Sequence, residues 1–107
     1  MRPSLIIRTT SLIMKLHSFA KNRTLLTFDD GTEVFFSYAT PVAGYSKTLH
    51  GYFRTNEWYS STTTRHVNRY FNHVWLNSNL VGFDPETDVS TVDQDVINKL
   101  VPIPVRY

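Results

Sequence analysis

The chain has no cysteine among its 107 residues, which excludes disulfides, thiolate metal ligands and a cysteine nucleophile. It also has no apolar run close to the roughly 20 residues that a membrane-spanning helix requires, so membrane insertion is not expected. Its four glycines form no phosphate-cradling loop, and no repeat or low-complexity segment is present. The N-terminus, MRPSLIIRTTSLIMK, begins with a basic residue and carries apolar ones. Arg8 and residues 9–11 interrupt what would have to be a signal-peptide core. Met14 is followed by Lys15, Leu16 and a sequence that runs smoothly towards the first strand. Residues 1–13 therefore read as an N-terminal extension, and residues 14–107 as one domain.

What is present describes a folded domain. Hydrophobic residues make up 41% and charged residues 19%, a globular balance, and the length suits a single core. Six Tyr, seven Phe and two Trp supply large side chains for a small core or a contact surface. The net charge of +2 conceals an asymmetry: residues 1–75 carry nine Lys/Arg against four Asp/Glu, and residues 76–107 two against five. The acidic C-terminal part is expected to fold back and neutralise the basic part.

The most informative stretch is SSTTTRHVNRYFNHVW at residues 60–75, which contains no acidic residue. Val67, Tyr70, Phe71, Val74 and Trp75 fall at i, i+3, i+4, i+7 and i+8, one apolar stripe of a helix. Ser60, Ser61 and Thr62 offer side-chain oxygens to cap its first N–H groups. The helix is expected over residues 62–75. Arg65, His66, Arg69 and His73 fall off the stripe and make the remaining surface basic and titratable.

Ahead of it, residues 25–28 and 32–38 are strand-like runs separated by Asp29-Asp30-Gly31. A three-residue loop with glycine in the left-handed position suits a type I turn followed by a G1 bulge. That register sets Leu26 opposite Val34, Leu25 opposite Phe35 and Thr27 opposite Glu33. After Thr40-Pro41, residues 42–45 read as a short edge segment, because proline is disfavoured in a central strand. The alternation of residues 48–54 predicts a further strand. Residues 77–85 read as an irregular connection. A second helix is expected over residues 91–100, with Ser90 as cap, Asp95 paired to Lys99, and Val92, Val96, Ile97 and Leu100 inward. The fold class is therefore α+β: an antiparallel sheet of three to five strands with one main helix on a face and a second short C-terminal helix.

The segments FSYATPVAG and GYFRTNEWYSSTTTRHVN resemble a family of small uncharacterised tailed-bacteriophage proteins with an SYxTPVA strand and an SxTTxRHxN segment. The matching residues are Ser37, Tyr38, Thr40, Pro41, Val42 and Ala43, then Ser61, Thr63, Thr64, Arg65, His66 and Asn68. The resemblance covers about a third of the chain and brings no catalytic residue with it. It implies a phage accessory protein acting in the host cytoplasm.

No reaction signature stands out. His66 and His73 are seven residues apart, roughly 10 Å along a helix at 1.5 Å per residue, so they cannot share one metal ion. A hydrogen-bonded structural role is expected for His66, and no metal or cofactor is predicted. The hydroxyls at residues 60–64 are explained by capping, and no triad partner is specified. The one enzymatic version the residues offer is a metal-independent nuclease using His and Arg. The expected function is thus non-catalytic: binding or inhibition of a host macromolecule through protein contacts. Tyr52, Arg54, Trp58, Arg65, Arg69 and His73 are the candidate binding residues, the arginines for bidentate contacts and Trp58 as an aromatic anchor. The alternative is single-stranded or non-specific nucleic-acid binding, where the same basic and aromatic side chains would hold phosphates and stack bases. A homodimer through an uncovered sheet edge is a further option. Truncation to Met14 is expected to leave the melting temperature nearly unchanged; a large loss would place residues 5–7 in the sheet.

Overall fold

The computed structural model describes residues 14–77, 84–85 and 87–101. The proposed extension at residues 1–13, most of the connection after the main helix, and the residues from Pro102 onward lie outside the described residues. Six strands run β1 (Met14–Ala20), β2 (Arg23–Phe28), β3 (Glu33–Ser37), β4 (Thr40–Ser46), β5 (Gly51–Thr55) and β6 (Val89–Val92). The main helix α1 (Ser61–Asn77) lies between β5 and β6, and a short helix α2 (Gln94–Asn98) follows. The strands form one sheet in the order β1-β2-β3-β4-β5-β6. All neighbours are antiparallel except β5 and β6, which are parallel. The expected α+β class with one main and one short helix is what forms, but the sheet is six-stranded and mixed.

The β2–β3 hairpin has the expected register, with Leu26 opposite Val34, Leu25 opposite Phe35 and Thr27 opposite Glu33. Gly31 sits at φ +94 in its loop, the Gly31 N–H donates to the Phe28 carbonyl at 3.0 Å, and Asp30 Oδ1 accepts from the Thr32 N–H at 2.9 Å. The aspartate closes the turn locally, and glycine supplies the backbone conformation that other residues resist.

Three expectations need correction, and one strand was not among them. β4 is a central strand despite Pro41. The ladder passes from Phe35 opposite Ala43 to Phe36 opposite Pro41, so Val42 is the extra residue of a bulge, and the β5 ladder spans only Ala43 to Ser46, which leaves Pro41 paired on the β3 side alone. The bulge also lets the consecutive residues Val42 and Ala43 enter the same core cluster. β5 starts at Gly51, not at residue 48, because residues 47–50 form a turn in which His50 adopts φ +67 and its N–H bonds the Lys47 carbonyl. The segment expected to open the second helix is instead β6, a β-branched run paired with β5, and the helix shrinks to five residues. Finally, β1 is a strand that apolar alternation does not announce. Lys15, Leu16, His17 and Ser18 are all exposed on this sheet edge, so burial imposes no pattern there.

α1 crosses one face of the sheet as the link between parallel strands. Leu25, Phe35, Val42 and Ala43 meet Val67, Tyr70, Phe71 and Val74 in the core, with Tyr52 and Val89 packed against them. Trp75, assigned to the inward stripe, is 53% exposed; eight residues beyond Val67 it is rotated by about 80°, past the stripe's edge. Val34 and Phe53 are fully buried and, by strand alternation, lie on the other face. α2 packs against β4, and its Ile97 is fully buried.

Gly44 is where the strands close most tightly. A Cβ there would overlap the Glu33 carbonyl oxygen and come within 2.8 Å of Phe53 Cζ. Gly44→Ala is expected to cost more than about 4 kcal/mol or to prevent folding, because backbone cannot yield as a flexible side-chain tip can. Gly31→Ala, with open space around the new methyl, should cost only about 1–2 kcal/mol from its positive φ. Urea denaturation of the two variants checks this ordering.

Candidate functional site

Three alternate residues of β3 hold α1. The Tyr70 hydroxyl donates to Glu33 Oε1 at 2.9 Å, the Phe35 and Tyr70 rings stack at 4.8 Å, and Ser37 Oγ lies 3.1 Å from Thr63 Oγ1 and 2.7 Å from His66 Nδ1. Tyr70 is 1% exposed, and burial, followed by the Glu33 charge, pushes its hydroxyl well above the usual tyrosine range. It stays protonated and donating. The polar contacts at both ends of the stack fix the helix in rotation and in register.

The start of α1 completes a chain of hydroxyls. Ser60 Oγ accepts from the Thr63 N–H at 3.1 Å, a side-chain N-cap, and donates to Thr63 Oγ1 at 3.3 Å. Each hydroxyl has one proton to give. With Ser60 donating to Thr63, two orders leave every contact bonded: Thr63 donates to Ser37 and Ser37 to His66 Nδ1, which places the imidazole proton on Nε2, or His66 Nδ1–H donates to Ser37 and Ser37 to Thr63, whose oxygen accepts twice. Burial lowers the His66 pKa first, and Arg23, Arg69 and Arg65 push in the same direction, so the ring is held neutral. Ser37 is only 2% exposed, so its hydroxyl is a structural donor and not a nucleophile presented to a substrate.

Around the partly exposed His66 lie groups from three elements. Arg23 of β2 is the ladder partner of Ser37. Arg65 and Arg69 are exposed on α1, whose 17 residues include no Asp, Glu or Lys. Tyr38, just after β3, places its ring 5.7 Å from the imidazole, tilted by 45°. Tyr38 is held at φ +57 and is 52% exposed, a conformation costing roughly 1–2 kcal/mol for a residue with a Cβ. Strain of this kind persists where surrounding structure enforces it, as the bond from the Tyr38 N–H to the Asn22 carbonyl at 2.8 Å does here.

The six candidate binding residues do not form one patch. Arg65, Arg69 and His73 share the outward side of α1. Tyr52 is half-buried beneath the helix, edge-on to Tyr45 at 5.0 Å and to Phe71 at 6.2 Å. Arg54 reaches Asn68 Oδ1 at 3.5 Å on the β5 side of the helix, and Trp58, 73% exposed, stands in the loop before it. Arg23, Ser37, Tyr38 and Thr63 were not among the candidates. Three of them lie in the two segments that carry the resemblance, and Arg23 is found through the hairpin register. The acidic part expected to fold back on the basic part lies partly outside the described residues. Asp93 accepts from Asn56 Nδ2 at 2.8 Å, and Asp95 and Glu57 line the same cleft, while Arg65 and Arg69 stay exposed. His66 is hydrogen-bonded, as expected of it. Among the described residues no group of three His, Asp or Glu side chains is placed to hold a metal ion, and no helix is long and apolar enough to cross a membrane.

These features define a small α+β domain with a cation-rich helix face seated on a mixed sheet. The chain belongs to a family of unknown function (DUF8033), whose family model matches residues 14–89. The matched span runs from β1 to the first residue of β6 and includes Arg23, Tyr38, Arg65, His66 and Arg69. No curated protein and no solved structure matches the chain.

Because the His66 pKa lies below the usual 6.5, the unfolded chain takes up a proton first as pH falls. Its contribution to stability is complete above 6.5 and is lost as pH drops from there through the lower folded value. The melting temperature should decline between pH 7.5 and 5.5, and His66→Gln should flatten that decline. An equal slope in the variant would place the proton uptake elsewhere.

Proposed function

We propose that this is a non-catalytic binding protein whose outward α1 face docks an acidic surface on a partner protein. The observation that carries the reading is the composition of that face. Arg65 and Arg69 are exposed on a helix without a single carboxylate, and Leu76, 65% exposed, continues their side at the C-terminal end, with Trp75, 53% exposed, nearer the buried stripe. Arginine and tryptophan are among the residue types that dominate binding energy at protein interfaces, and the charge calls for an acidic counterpart. His73 lies on the same side. The resemblance to small phage proteins suggests a bacterial host protein as the partner and the host cytoplasm as the setting.

A second reading, single-stranded nucleic acid, is favoured by Trp58, whose 73% exposure beside the start of a basic helix offers a base-stacking platform. The two differ in the steepness of the salt response: a nucleic-acid backbone releases condensed counterions and its binding weakens steeply with ionic strength, whereas two arginines against an acidic protein surface are only screened and weaken less.

A tagged pull-down from bacterial lysate, with and without nuclease, separates them. The expected result is a stoichiometric, nuclease-resistant protein whose affinity drops about 30-fold or more for Arg65→Glu with Arg69→Glu, on the hot-spot scale of at least about 2 kcal/mol. The double variant should keep its fold, since both side chains are exposed. Unchanged binding would rule out the helix face; recovery lost on nuclease treatment would favour nucleic acid.

A further inference from the structure

We infer that the outer edge of His66, bounded by Arg23, Tyr38, Arg65 and Arg69, is a binding site for a phosphate monoester dianion. The inference rests on the reading of this face as a binding surface and names the chemistry that one point of it accepts.

In the site we infer, the hydroxyl chain from Ser60 through Thr63 and Ser37 donates to His66 Nδ1, 2.7 Å from Ser37 Oγ, and Nε2 is the outward N–H donor. Among the described residues no group bonds Nε2. A histidine whose inner nitrogen is satisfied by a hydroxyl is not compelled to carry charge, as one backed by a carboxylate would be. It presents a neutral donor in a field set by three guanidinium groups, and no carboxylate of the described residues adds to that field.

The arginines come from different elements. Arg23 stands opposite Ser37 in the β2–β3 ladder, Arg65 precedes His66 on α1, and Arg69 follows it by about one turn. Positive charge that acts on one imidazole from a strand and a helix suits a compact dianion with three acceptor oxygens. A carboxylate would balance one charge of the three. A nucleic-acid backbone would ask for cations spread along a track. Tyr38 is the second, independent mark of the site: a bulky residue kept in a left-handed conformation, half-exposed, with its ring against His66.

The phosphate can be free or carried on a side chain of the docking partner, and the two arms of the test separate these sources. In the first, inorganic phosphate is titrated into the full chain at constant ionic strength, with nitrogen-15 and proton resonances of the four histidines followed by NMR. The expected result is an Nε2–H tautomer for His66 in the free protein and a saturable shift of His66 alone. Its pKa should rise on binding, because a dianion favours the imidazolium. The groups facing the ring are those named: Arg23 from β2, Tyr38 after β3, and Arg65 and Arg69 from α1. Arg23→Ala should raise the half-saturation concentration at least fivefold. Tyr38→Gly should weaken binding while raising the melting temperature, a split that a merely structural tyrosine would not give.

In the second arm a phosphoserine peptide is compared with inorganic phosphate and with a thymidine oligonucleotide. Tighter binding of the peptide assigns the phosphate to a protein partner, and equal affinity assigns it to a free phosphate. An Nδ1–H tautomer, or a His66 shift no larger than those of His17, His50 and His73, would overturn the inference. Oligonucleotide binding far tighter than phosphate, with a steep salt dependence, would overturn it in favour of a nucleic-acid backbone. Loss of partner capture in the Arg65/Arg69 double variant without any phosphate response would leave the docking face standing and remove only the phosphate site.

Discussion

One face of a five-residue strand decides where the main helix lies. β3 presents Glu33, Phe35 and Ser37 in alternation, and each engages α1: a hydroxyl–carboxylate bond, a ring stack and a hydroxyl network. The apolar stack supplies most of the attraction, since aromatic pairs contribute roughly 0.5–1.5 kcal/mol beyond the area they bury. The polar contacts at its two ends have a different effect. They are directional, so they exclude the rotated or slid helix positions that an apolar face alone would tolerate. The outward placement of Arg65 and Arg69 follows from this seating.

The same seating accounts for the electrostatics. Bringing His66 against the sheet places it among positive charges with no acid among the described residues to offset them, and burial already disfavours its charged form. At Nδ1 the ring faces the Ser37 hydroxyl, a neutral group that gives a protonated ring no opposing charge. The hydroxyl chain, the neutral imidazole and the unopposed arginines are one arrangement. Its cationic surface is held by buried contacts rather than by flexible side chains alone.

Local patterns in the sequence were legible where local chemistry decides the outcome. The Asp-Asp-Gly turn fixes its hairpin register residue by residue, and the spacing of Val67, Tyr70, Phe71 and Val74 identifies the buried side of α1. Non-local decisions were not legible. β6 looks like the start of a helix because Val-Ser-Thr-Val can serve either state, and its parallel partner β5 lies more than 30 residues earlier. Pro41 argues against a central strand until the bulge that accommodates it is known. The bond between Ser37 and His66 joins residues 29 apart, so neither sequence segment shows that the two form one site. Tyr52 and Arg54 were grouped with the helix arginines by residue type, whereas strand alternation turns both towards the underside and flank of α1.

The claim that β3 and α1 form a single mechanical unit is tested most directly by native-state hydrogen exchange across a denaturant series. If the strand seats the helix, amides of residues 33–37 and of the central turns of α1 will open with the same free energy and the same denaturant dependence. Central α1 amides that exchange at a clearly lower free energy than those of β3 would contradict it, because the helix would then detach from an intact sheet and its outward face would not be fixed.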